Sequence, residues 1–185
     1  MRSGEEITEQ ELTILCSKGS GLARKELYTR YATRIHALCY RYLGDSDRAK
    51  DLTHDLILKL FDTIGRYHYK GEGSLWAWIR RMTINAAINR VTRKGIVDFG
   101  LENIEEQNMA EPLEDGIETV SVPIILHLIS GLPDTQRLIL NMFCLDGYSH
   151  KEIALMLGIT EKASSSLLAK AKKTLWDKIE EYSMR

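Results

Sequence analysis

Between Ile96 and Val122 the chain carries eight acids (Asp98, Glu102, Glu105, Glu106, Glu111, Glu114, Asp115 and Glu118) and neither a lysine nor an arginine. These like charges repel one another, Gly100, Pro112 and Gly116 interrupt the backbone, and no sustained apolar stripe is present to bury. Such a stretch does not build a core. It reads as a flexible acidic linker over residues 96–122, so the fold must be assembled from its flanks, 1–95 and 123–185. Both flanks favour helix. The chain has only three prolines in 185 residues, is rich in Leu, Ala, Ile, Lys and Glu, and shows no period-two alternation of β-branched residues. The expectation is an all-α protein, two small helical domains joined by the linker. A composition of 44% apolar and 28% charged residues excludes disorder throughout.

The net charge of −1 hides a segregation that matters for partners. From Arg66 to Lys94 there are seven cations (Arg66, Lys70, Arg80, Arg81, Arg90, Arg93, Lys94) against the single acid Glu72. Cys16, Cys39 and Cys144 are far apart and each sits within an apolar helical pattern. They read as buried, reduced thiols of a cytoplasmic protein rather than as a disulfide framework or a metal site. The N-terminus is polar, without an apolar h-region, and no stretch reaches the length of a membrane span, so no membrane insertion is expected.

In the first flank, Thr8 and Glu11 fit a capping box, which predicts a helix from Glu9 to about Lys18, broken by Gly19, Ser20 and Gly21. A second helix should carry Leu27, Tyr31, Ile35, Leu38 and Tyr42 and stop at Gly44. Asp45 can cap a third, with Leu52, Leu56, Leu60 and Ile64 on one face, ending at Gly65. The opposite face presents Asp51, His54, Asp55 and Lys59, which by themselves could be an ordinary solvated face.

Residues 65–73 then form a loop with three glycines, Tyr67, Tyr69, His68 and the cations Arg66 and Lys70. Flat rings beside mobile backbone and positive charge suit the stacking of unpaired bases. The helix expected from Ser74 to about Arg93 has apolar faces at Leu75, Ile79, Met82 and Ala86 and at Ile84, Ile88 and Val91. Between them runs a row at i+4 spacing, Arg81, Asn85, Asn89 and Arg93, of guanidiniums and amides that can hold phosphates and read base edges. Trp78 fits the core better than a ligand site.

In the second flank, Pro133 suits a first helical turn, predicting a helix to about Leu145 that stops at Gly147. Ser149 with Glu152 forms a second capping box, and Tyr148 with Ile153 a hydrophobic staple. Gly158 ends that short helix, Ile159 fills the corner, and Thr160 caps the next, whose inward positions are Ser164, Leu168, Ala171 and Leu175. Lys162, Ser165, Ser166, Leu167, Ala169, Lys170 and Lys173 remain nearer the outside. Helices of about eight and sixteen residues around a glycine turn fit a DNA-binding helix-turn-helix, and they fit an ordinary helical hairpin as well. Five lysines against one acid between Lys162 and Lys178 favour DNA.

Taken in order, these stretches resemble the small two-domain sigma factors of bacterial RNA polymerase, the extracytoplasmic-function (ECF) group. "RAKDLTHDLILKLFDTI" stands in the place of the polymerase-binding helix of region 2, and "GEGSLWAWIRRMTINAAINR" in that of the segment that melts and reads the minus-ten element. "LPDTQRLILNMFCLDGYSHKEIALMLGI" is similar to the start of region 4, at Leu132, Pro133, Arg137, Gly147, Tyr148, Ser149, Glu152, Ile153 and Ala154. The resemblance implies that Asp51, His54, Asp55 and Lys59 dock on the clamp coiled coil of the polymerase largest subunit. It further implies that Tyr67, Tyr69, Lys70, Trp76, Arg81, Asn85, Asn89 and Arg93 engage the minus-ten element, including its non-template single strand. Lys162, Ser165, Ser166, Leu167, Ala169, Lys170 and Lys173 would engage the minus-thirty-five duplex. The linker would either mimic a phosphate chain inside the polymerase or act as a solubilising tether. An anti-sigma factor is a further expected partner.

This chain departs from the family pattern at several places. Lys162 and Ala163 stand where glycine and threonine are frequent, Leu167 where Arg or Gln is common, Lys170 and Lys172 where arginines are frequent, and Lys50 replaces an acid. Lysine supplies a point charge rather than a planar fork, which favours phosphate contacts and apolar contact with thymine methyls over bidentate guanine reading. The alternative is a free-standing helix-turn-helix regulator, whose first half would serve as a sensor or dimerisation domain. Enzymatic function is not expected: there is no glycine-rich phosphate loop, no HExxH, no CxxC pair, and five histidines are scattered without ligand spacing. No catalytic residue, metal or cofactor is therefore assigned.

Overall fold

A computed structural model describes residues 7–92 and 121–184; most of the expected linker, and with it Arg93, lies outside the described residues. No strand occurs among the described residues. The helices are α1 (Glu9–Ser17), α2 (Gly21–Leu43), α3 (Ser46–Thr63), α4 (Ser74–Thr92), α5 (Val122–Ser130), α6 (Asp134–Leu140), α7 (His150–Leu157) and α8 (Glu161–Ser183). They fall into two compact units. Among the described residues, one holds 7–40 with Ser46–Ala87, and the other holds Arg41–Asp45 with 88–92 and 121–184.

In the first unit, the Thr8 side chain accepts from the Glu11 backbone N–H and the Glu11 carboxylate accepts from the Thr8 N–H, the expected capping box of α1. α2 and α3 bury the residues that their spacing selects, among them Leu27, Tyr31, Ile35, Leu52, Leu56 and Leu60. Each fully buried leucine or isoleucine stabilises the unit by about 1.5–3 kcal/mol relative to an exposed one. A short 3₁₀ turn, Ile64–Arg66, ends α3 where the loop was expected to begin. On α4, whose last residues from Ile88 belong to the second unit, Leu75, Ile79, Ile84, Ala87, Ile88 and Val91 are buried, whereas Met82 and Ala86 are only half-buried and Thr83 takes an inner position instead. Thr83 is tolerated there because its hydroxyl donates to the Ile79 carbonyl at 2.9 Å.

In the second unit, Ile129, Leu132, Leu140 and Ala171 form a core against which Ile125 and Leu175 pack. α5 opens at Val122 with a proline in its first turn, so the last residue of the expected linker is already helical. The single helix expected from Pro133 to Leu145 is instead α6 followed by a π-helical turn over Asn141–Leu145. That wider turn shifts the register, and Cys144, expected to be buried, is exposed, whereas Cys16 and Cys39 are buried free thiols as expected. Arg137, almost wholly buried, donates to the carbonyls of Ser130 (3.1 Å) and Leu132 (2.5 Å) and pairs with Asp134. It also donates to the carbonyls of Tyr42 (3.0 Å) and Leu43 (2.9 Å).

α7 and α8 form the hairpin that the capping residues specify. The Ser149 side chain accepts from the Glu152 N–H, and Thr160 accepts from the Ala163 N–H at 3.0 Å. Gly158 closes α7 at φ +69°, ψ +32°, a left-handed conformation that puts a Cβ too close to the following carbonyl. Gly158→Ala is expected to destabilise the protein by about 1–2 kcal/mol, read as a lower urea midpoint with an unchanged m-value.

Candidate nucleic-acid interface

The polar rows of α3 and α4 lie as their spacing requires. Arg81, Asn85 and Asn89 are all exposed on α4, on the side away from Leu75, Ile79 and Ile84. On α3, Asp51, His54, Asp55 and Lys59 are all exposed, opposite the buried Leu52, Leu56, Ile57 and Leu60. Leu58 shares that outer face and is 50% exposed. It was absent from the sequence-derived set, although its displacement from the Leu52, Leu56, Leu60 stripe was readable. An apolar side chain set among charges gives such a face some hydrophobic contact area.

The rings near the loop divide into tethered and free. Tyr67 packs at 5.3 Å on Trp78, and its hydroxyl hydrogen-bonds Ser74 Oγ at 2.5 Å. Trp76 stacks almost parallel to Tyr31, with centroids 6.1 Å apart and planes 4° apart. The Arg34 guanidinium lies 3.9 Å from the Trp76 ring centroid, a cation–π contact. Tyr69 is exposed (38%), as are its neighbours His68 and Lys70. Of the three aromatic residues expected to engage DNA, Tyr67 and Trp76 therefore have protein ring partners, and Tyr69 offers the most accessible ring.

Two anchors hold this loop. From within, Ser74 Oγ donates to the Gly71 carbonyl at 2.5 Å and accepts from the Lys70 N–H at 3.2 Å. From α1, Glu9 Oε2 accepts from the backbone N–H of Gly73 at 2.9 Å and of Leu75 at 3.4 Å. Glu9 Oε1 accepts from the Tyr31 hydroxyl at 3.0 Å. Burial, reinforced by that carboxylate, pushes the Tyr31 phenol up to about 12, so it remains a donor at neutral pH. Gly71 and Gly73 adopt φ of +114° and +80°, a course open to glycine and strained for other residues.

On α8, Lys162, Lys170 and Lys173 are exposed, and Ser165, Ser166, Leu167 and Ala169 are half-buried. Ser164, Leu168 and Ala171 are buried as expected, whereas Leu175 is only partly so. The buried Ser164 hydroxyl is satisfied by His150 Nδ1 at 2.9 Å, and the His150 ring stacks on Phe143 at 4.4 Å. Burial, opposed by Glu161, holds the His150 imidazole below its ordinary range. This uncharged ring lets serine occupy an inner helix position where an apolar residue would otherwise pack. No cluster of metal-binding residues and no helix long and apolar enough to cross a membrane occurs among the described residues.

The sequence has counterparts in known proteins. Residues 27–96 match Sigma-70 region 2, and residues 124–175 match Sigma-70, region 4. The chain is 22% identical over 187 residues to the ECF RNA polymerase sigma-E factor of Escherichia coli (strain K12), covering 95% of this chain and 96% of the relative. The ECF RNA polymerase sigma-E factor of Salmonella typhimurium (strain LT2) is similar to the same extent, 22% over 187 residues. The ECF RNA polymerase sigma factor SigE of Mycolicibacterium smegmatis is 24% identical over 165 residues, covering 85% of this chain and 62% of the relative.

Proposed function

Because the chain belongs to the ECF group of the sigma-70 family and directs promoter-specific initiation with RNA polymerase core, we propose that its region 2 opens and reads the minus-ten element through Tyr69 and the Arg81, Asn85, Asn89 row. The observation that carries this assignment is the exposed Tyr69 on a loop fixed at the start of the helix bearing that exposed row. A base leaving the duplex costs a few kcal/mol, which stacking on a ring and hydrogen bonds to its edge can return. A sigma factor catalyses no covalent step; polymerisation belongs to the core enzyme.

The remaining roles in this reading follow from chemistry and exposure. The α3 face with Asp51, His54, Asp55, Leu58 and Lys59 docks on core polymerase. Lys162, Lys170 and Lys173 of α8 contact phosphates of the upstream duplex, Leu167 and Ala169 touch thymine methyls, and Ser165 and Ser166 contribute single hydrogen bonds. Arg93 extends the α4 row on grounds of spacing alone. An anti-sigma factor and a cytoplasmic location are part of the proposal on family grounds. The free-standing regulator is set aside, because both halves of the chain match sigma regions in order.

Permanganate footprinting of unpaired thymines, set against filter binding of closed duplex complexes, tests the assignment. Tyr69→Ala is expected to slow opening by about tenfold, within the 1–3 kcal/mol of a base stack, while leaving closed-complex affinity within about twofold. Equal loss in both assays would remove Tyr69 from base capture.

A further inference from the structure

Glu9 lies 64 residues from Gly73 in sequence, yet one of its carboxylate oxygens holds two backbone N–H groups at the start of α4. The other oxygen holds the hydroxyl of Tyr31, whose ring stacks on Trp76 of the same helix. Three independent features thus converge on one side chain. It offers a charge at the positive end of α4, it satisfies amides that α4 cannot satisfy itself, and its second oxygen is held by the Tyr31 hydroxyl. The backbone it grips is the left-handed Gly73 immediately after the Tyr69–Lys70 segment. The loop's internal anchor, Ser74, contacts the same segment from the opposite end of the turn.

We propose that Glu9 is a positioning residue for base capture, setting the backbone of the 67–73 loop from α1 so that Tyr69 meets the flipped base in one orientation. The inference rests on the base-capturing role of Tyr69 given above. A loop held at Gly73 by a carboxylate presents one ring geometry, and discrimination among bases depends on that geometry because stacking by itself accepts any base. Without the carboxylate, the Gly71–Gly73 hinge samples several courses, so stacking survives and selection is lost. Glu9 touches no DNA in this scheme and acts through the loop.

The test uses full-length protein assembled with core polymerase and a single-stranded oligonucleotide pool randomised across the minus-ten positions. The wild type enriches one base at the captured position. Glu9→Ala is expected to flatten that enrichment by about tenfold, the scale of charge-assisted hydrogen bonds, with pool retention, core affinity and helical content unchanged. Glu9→Gln, which keeps an acceptor oxygen toward Gly73, should recover most of the selection. Tyr31→Phe, which keeps the Trp76 stack and removes one hydrogen bond, should flatten the same position by about twofold and decides the matter if Glu9→Ala does not fold. Unchanged enrichment in the Glu9 variants alongside lost enrichment in Tyr69→Ala overturns the role of Glu9. Unchanged enrichment in both overturns the reading of the loop and this inference with it.

Discussion

Replacing Asp51 and Asp55 together with arginine is expected to abolish recovery of core polymerase on the immobilised protein, an affinity loss of about 100-fold or more. Both carboxylates are exposed on one face of α3, one turn apart. Reversing two charges at a complementary interface replaces attraction by like-charge contact, which costs several kcal/mol. The exchange leaves the inner face of α3 untouched, since Leu52, Leu56, Ile57 and Leu60 are buried on the other side. Far-ultraviolet circular dichroism and the thermal midpoint should therefore stay near those of the wild type. Undiminished recovery of polymerase would move the docking surface off α3.

Arg137→Met is expected to have the largest effect on stability, about 3–5 kcal/mol by chemical denaturation. The guanidinium is 3% exposed and donates to four backbone carbonyls, those of Ser130, Leu132, Tyr42 and Leu43. The Tyr42 and Leu43 carbonyls belong to the last turn of α2, where no further helical N–H follows to reach them. Methionine fills much of the volume and supplies none of the donors. It also leaves Asp134, whose side chain is 18% exposed, without its arginine. A change below 1 kcal/mol would mean that water replaces the guanidinium on those carbonyls.

What could be read from the sequence was what four or five adjacent residues decide. Both capping boxes, Thr8 with Glu11 and Ser149 with Glu152, are present, because a cap needs only its own turn. The exposure of the α3 and α4 rows followed from helical periodicity. α8 runs to Ser183, well past the expected end, and its buried Leu168, Ala171 and Ile179 continue a stripe that could have been followed further. The π-helical turn at Asn141–Leu145 left no local signal, and with it went the placement of Cys144. The supports of the loop were equally hidden. Glu9 to Gly73 and Tyr31 to Trp76 are contacts between residues 64 and 45 positions apart, which no periodicity or cap encodes. The sequence singled out Tyr67, Tyr69 and Trp76 as a set; only the packed structure separates the tethered rings from the accessible one.

That separation bears on how much a promoter can tell this protein. Tyr67 and Trp76 are engaged with Trp78, Tyr31 and Arg34, whereas Tyr69 is exposed at the loop surface beside His68. If Tyr69 receives the flipped base as proposed, that ring bears on one position of the promoter rather than on several. In the proposed reading the amides on α4 then carry most of the remaining message, because lysines such as those of α8 hold phosphates of any sequence. Under that reading, promoters recognised by such a factor would keep their bases most strictly in the segment that faces Tyr69 and the α4 amides, and less strictly upstream where the α8 lysines dock.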